Sequence, residues 1–125
     1  MNDDTPVEAV EEVDILFFDI GTSVFGTDAS QVLRIDCSLP DDLMLPELGL
    51  LHRGHRAIVF DTPEGEGHLK VDGVRGVRSI PVSSLRRMPP TAGAAPYAVG
   101  VCLEDQDRTV LLIDLAETAK SQGRH

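Results

Sequence analysis

Few side chains in this sequence are spaced for chemistry. His52 and His55 stand three positions apart across Arg53-Gly54, a start for a metal site. Zinc needs three or four convergent ligands, and here the thiols Cys37 and Cys102 are isolated while His68 and His125 have no ligand type close in sequence. Two exposed loop histidines is the expected reading. Asp61 and Asp114 each follow an apolar run, where catalytic acids often sit. Asp114, however, is placed to cap a helix, and Asp61 opens a turn ahead of Pro63. Ser83-Ser84 lacks the flanking glycines of a nucleophile elbow. Neither Gly65 with Gly67 nor Gly73 with Gly76 is followed by the Lys and Ser/Thr of a phosphate loop. Cys102, with apolar neighbours in a strand-like run, reads as a buried structural thiol. No catalytic residue, cofactor site or metal ligand is assigned. The alternative class, a small β-barrel enzyme or metal-binding domain, would need these scattered groups to converge.

The elements that would have to position them are short and extended. Met1 to Val13 is acidic, carries Pro6 and reads as a disordered tail. Asp14 to Ile20 is an apolar run rich in β-formers. It is closed by Gly21-Thr22 and returned by Ser23 to Thr27, which makes a hairpin. Asp28 is set to cap a single helical turn, and Val32, Leu33 and Ile35 are too few for a long helix. Pro40 and Pro46 make Cys37 to Leu51 an irregular crossing. Strands are expected over Arg56–Asp61 and His68–Asp72, with Thr62 to Gly67 as a turn, and an extended stretch over Val77–Leu85 before Met88-Pro89-Pro90. Tyr97 to Leu103 alternates with period two, Glu104 to Asp107 turns, and Arg108 to Ile113 returns. Asp114-Leu115-Ala116-Glu117 has capping-box spacing for a short C-terminal helix. About seven short strands with frequent turns predict an all-β barrel or pair of barrels. The expected boundaries are a tail at 1–13, one domain at 14–121 and a disordered end at 122–125.

At 125 residues and 42% hydrophobic, the chain can build one core, but aromatics are 4% and Trp is absent, so Val, Leu and Ile must fill it. No stretch reaches the roughly 18 apolar residues of a membrane span, so no membrane insertion is expected. The acidic N-terminus does not read as a signal peptide, and isolated thiols suit a reducing compartment, the cytoplasm by default. A net charge of −10 argues against nucleic acid as a partner. Charge is unevenly distributed: seven of the bases lie between Arg53 and Arg87, against Asp61, Glu64, Glu66 and Asp72. That segment is either ordinary solvated charge or a basic face for an acidic protein partner.

The order of these segments resembles the CheW-like coupling domain of bacterial chemosensory systems. The resemblance rests on Ile15-Leu16-Phe17-Phe18, the hairpin through Phe25-Gly26, and Val32-Leu33-Arg34-Ile35 in place of that family's Val-x-Glu-Ile. It continues through Leu48 to Gly54, ending in Arg53-Gly54, then Gly67 to Val74, Pro96 to Val101 and Val110 to Leu115, covering about Ile15 to Lys120. It implies two intertwined SH3-like β-barrels, one of them reduced, plus a short C-terminal helix. It also implies a non-catalytic adaptor between a chemoreceptor cytoplasmic domain and a CheA-type histidine kinase. Two departures matter. Between Asp61 and Gly67 the family has some twenty more residues, so kinase binding should be weak or lost, as in a reduced coupler of a gliding-motility receptor pathway. Arg34 replaces the Glu that in the family pairs with the Arg of Arg-Gly, so Arg53 needs another carboxylate, Asp36 or Glu47, or stays free for a receptor. The implied partner-binding set is Val32, Leu51, Ile58, Val71 and Val77 lining a groove, with Arg34, Arg53 and Gly54 at its rim; plain core packing is the alternative for the apolar five, and the expected one for most of them. A complete CheW-like coupler is a further possible partner. Unpaired strand edges left by the shortened barrel would also permit a homo-oligomer.

Overall fold

The computed structural model describes residues 11–87, 98–105 and 108–123. The expected loop at 91–96 and the tip of the last turn lie outside them. β1 (Glu12–Ile20) and β2 (Ser23–Asp28) form the predicted hairpin, with Gly21 at φ +63° in its turn. Order starts before Asp14 because β6 (Gly73–Pro81) is long enough to pair with Glu12 and Val13, and Val82 N–H donates to the Glu11 carbonyl. Asp28 caps one 3-10 turn, Ala29–Gln31, by accepting from Ser30 N–H at 2.9 Å. β3 (Val32–Cys37), β4 (Arg56–Thr62) and β5 (Gly65–Val71) follow. After β6 come a 3-10 turn at Val82–Ser84, β7 (Leu85–Arg87), β8 (Ala98–Asp105) and β9 (Arg108–Ile113). The helix α1 (Leu115–Gly123) runs two residues into the segment expected to be disordered. Its start is capped as expected, with Asp114 Oδ1 accepting from the N–H groups of Ala116 and Glu117 at 3.0 and 3.3 Å.

Among the described residues two sheets result: six strands in the order β6-β1-β2-β9-β8-β7, and three in the order β3-β4-β5. The chain crosses between them twice. It leaves the larger sheet through the Asp28-capped turn between β2 and β3, and returns through the single residue Asp72 between β5 and β6. The all-β class with one short helix agrees with the sequence reading.

β1 explains its own composition. Ile15 and Phe17 point into one core with Ile80, Cys102, Val110 and Leu112, while Leu16, Phe18 and Ile20 point into another with Phe25, Ile58, Phe60, Leu69 and Val71. A strand buried on both faces must be apolar at consecutive positions, which is why Ile15 to Phe18 shows no alternation.

β3 was not legible as a strand because it carries a bulge. Val32 pairs with Phe60 and Arg34 with Val59, so Leu33 is the extra residue and is half exposed. The bulge puts Val32 and Ile35 on the same core face at a spacing of three, which reads as helical. In β8 Cys102 is buried, as expected from its apolar neighbours, and Gly100 shares its side while Val99 and Leu103 face outward. A Cβ at Gly100 would lie 2.6 Å from the Arg86 carbonyl oxygen of β7, so that position needs glycine.

Candidate functional site

The partner-binding residues expected from the sequence do not form one surface. Ile58 and Val71 are 0% exposed in the core between the sheets, so neither has surface to offer a partner. The groove implied by the resemblance is, at these two positions, a β-sheet face turned into the core. Val32 and Leu51 are half-buried and pack against that same core. Val77 is 55% exposed on β6, in the other sheet.

Arg34 is exposed and neutralised. Its guanidinium forms a two-pronged bond to Glu66, both distances 2.9 Å, and its Nε donates to Asp36 at 2.9 Å. These hydrogen bonds, to Glu66 first and then Asp36, raise its already high pKa, and Arg34 in turn lowers that of Glu66. Arg34 and His68 both register against Val59 of the middle strand, so the pair with Glu66 spans β4 on the face away from the core. Val59 and Ala57 on that face are nonetheless 0% exposed. Long charged stems can shield apolar atoms in this way. His68 extends the network, with Nδ1 3.3 Å from Asp42 and Nε2 3.8 Å from Glu66. The replacement of the family's Glu by Arg34 is thus matched by an acid on β5, a partner the sequence reading missed. The sequence reading placed Glu66 inside a turn, whereas it stands on β5, and nothing in the local spacing joins it to Arg34.

Arg53 is exposed, and no carboxylate among the described residues lies within ion-pair distance of its guanidinium; of its two expected partners, Asp36 is taken by Arg34 and the side chain of Glu47 lies outside what the structure describes. What holds Arg53 is its backbone. Asp72 Oδ1 accepts from the N–H groups of His52, Arg53 and Gly54 at 2.9, 2.7 and 2.8 Å, and Oδ2 accepts from Gly21 N–H. Three successive amides converging on one anion form a concave main-chain cradle, here filled by an internal carboxylate. Gly54, buried at φ +59°, turns the chain out of it, and its carbonyl accepts from the Ser38 hydroxyl. Burial alone would raise the Asp72 pKa, but the N–H donors from Arg53, Gly21, Gly54 and His52 outweigh it and hold the carboxyl well below the usual range.

Around this point Gly21, Thr22, His52, Arg53, Asp72, Gly73, Asp19 and Arg75 line an open depression of about 330 Å³. Arg75 is the extra residue of a bulge opposite Phe17 and Phe18, and its Nε donates to Asp19 at 2.8 Å. Leu50 is 78% exposed beside the hairpin turn, its carbonyl oxygen 2.5 Å from where a Cβ on Gly21 would stand. Leu50 and Asp72 were not singled out from the sequence. In the sequence Asp72 stood out only as the end of an expected strand, one of the acids of the charged segment and part of the Gly67 to Val74 stretch. His52 and His55 are exposed, and no group of three metal-ligating side chains occurs among the described residues. No described helix is long and apolar enough to cross a membrane.

No family model matches the chain. It is 79% identical over 113 residues to the frizzy aggregation protein FrzB of Myxococcus xanthus, covering 90% of this chain and 100% of that one. Among solved structures it is similar to the scaffolding protein TtCheW of Thermoanaerobacter tengcongensis, with a TM-score of 0.71 at 20% identity, covering 91% of this chain and 97% of that one. The second likeness establishes the fold, and the first the family: the chain belongs to the CheW-like FrzB family.

Proposed function

We propose that this protein is a non-catalytic cytoplasmic adaptor of a chemosensory array, binding the helical cytoplasmic tip of a chemoreceptor through the Arg53 loop. The observation that carries this reading is Arg53 itself, an exposed cation without a carboxylate partner among the described residues, on a loop whose backbone is fixed by Asp72. A fixed exposed cation selects a partner's carboxylate and fixes its register. Leu50 and the exposed edge of Leu51 supply adjoining apolar contact, and Arg34, being matched by Glu66 and Asp36, is a bystander to charge selection. Binding of a soluble receptor signalling fragment should weaken on the order of tenfold or more in Arg53→Glu and grow weaker with added salt. Equal binding by wild type and Arg53→Glu would remove this site.

The same reading extends to the kinase. β4 and β5 are joined through Pro63 and Glu64 alone, and a coupler without the intervening segment has less surface for a CheA-type histidine kinase. The protein then acts on the receptor side, competing with or bridging a complete CheW-like coupler. Strong co-elution with the kinase in the absence of receptor would refute this part alone.

A further inference from the structure

We infer that Asp72 is a positioning residue for partner recognition: its carboxylate gathers the backbone of the Arg53 loop and, being committed to main-chain donors, leaves the Arg53 guanidinium free for a partner's carboxylate. The inference rests on the receptor-binding reading and assigns that site its internal support.

Asp72 is the one residue between β5 and β6, where the chain passes from the small sheet to the large one. Its own N–H donates to the Asp19 carbonyl at 2.8 Å, so its backbone is pinned to β1. From this fixed point one oxygen takes three consecutive N–H groups of the loop, and the other takes the turn of the β1–β2 hairpin. The loop has no strand or helix of its own at 52–54, so its backbone is anchored by these bonds, with Ser38 holding the carbonyls of Gly54 and His55. Without the anion the three amides face water and the loop loses local stability.

The second half of the argument is electrostatic. An aspartate next to an arginine loop would ordinarily pair with the guanidinium. Here Asp72 Oδ1 already accepts three bonds, and the Arg53 side chain makes no ion pair with it. The nearby Asp19 is engaged by Arg75 at 2.8 Å. Both carboxylates of the depression are thereby committed, and Arg53 at its rim has no carboxylate partner among the described residues.

The test is a double-mutant cycle on binding to a purified cytoplasmic signalling fragment of a chemoreceptor from the same genome. Wild type, Arg53→Ala, Asp72→Asn and the double variant are compared, alongside amide hydrogen exchange of the full-length protein. Asp72→Asn should weaken binding about tenfold, and Arg53→Ala should then add less than about twofold, because the guanidinium has already lost its placement. The amides of His52, Arg53 and Gly54 should be protected in wild type and lose protection together in Asp72→Asn. Strictly additive losses in binding, or unprotected amides in wild type, would overturn the inference while leaving the receptor reading intact. Wild type that fails to bind the fragment would overturn the receptor reading, and the recognition role of Asp72 with it. If Asp72→Asn does not fold, Asp72→Glu keeps the charge and displaces the loop. It should lower affinity with the same non-additivity, and wild-type affinity in that variant would count against positioning.

Discussion

The carboxylate of Asp72 works against its own burial, and that makes acid its weak point. Its folded-state pKa is depressed relative to about 3.9 for an unfolded Asp, so the unfolded chain takes up a proton first as pH falls. The contribution is therefore complete above roughly pH 5 and is lost progressively through and below pH 4. Asp72→Asn should cost about 1–2 kcal/mol at neutral pH, allowing for solvent screening at a partly exposed site. Urea titrations at stepped pH should show wild type losing stability faster than Asp72→Asn in acid, the two curves converging at the lowest pH. Glu66, held low by Arg34, leaves a residual acid dependence in both. At this scale the sequence displayed Arg34, Arg53 and Asp72 but not their partners. Arg34 is matched across β4 by Glu66, a contact 32 positions away in the chain, and spacing along the chain does not encode it.

Among the elements, turns and edges carry the informative physics. Gly21 sits at φ +63°, and a Cβ there would press on the Leu50 carbonyl oxygen, a backbone atom that cannot step aside cheaply. Gly21→Ala should destabilise the protein by about 1–3 kcal/mol from the left-handed conformation and the collision together, read as a lowered thermal midpoint. The outer edge of β5 is met by one residue of the irregular crossing. Leu43 N–H donates to the His68 carbonyl at 3.0 Å, and the Leu43 carbonyl accepts from Lys70 N–H at 2.8 Å. We propose that this bridge is what discourages strand addition from a second copy at β5. Leu43→Pro removes the donor and should raise the apparent mass in light scattering at high concentration relative to wild type. The hairpin, β4 and the capped helix were legible because local propensity and turn chemistry agree there. β3 was not, because a bulge at Leu33 changes the period from two to three.

For the whole molecule, the core between the two sheets decides which residues can be functional at all. Ile58 lies in it with Phe18, Phe60, Leu69 and Val71 and has no exposed surface. Ile58→Ala should cost about 2–5 kcal/mol of stability by opening a cavity. Receptor-fragment affinity per folded molecule should stay unchanged, as equilibrium unfolding and titration on the same samples would report. A loss of affinity without loss of stability would return Ile58 to the surface set.

What the sequence determined by itself was local: apolar runs that must be strands, the Gly21 turn, the Asp28 and Asp114 caps, and the order of segments that matches CheW-like proteins. What only the tertiary structure decided was which side of each strand faces inward and which charges meet. Ile58 and Val71 carry the same hydrophobic signal whether they line a groove or a core. The difference lies in what the opposite sheet places against them, and the two sheets are brought together through crossings at Asp28 and Asp72 whose geometry is set by contacts distant in the chain.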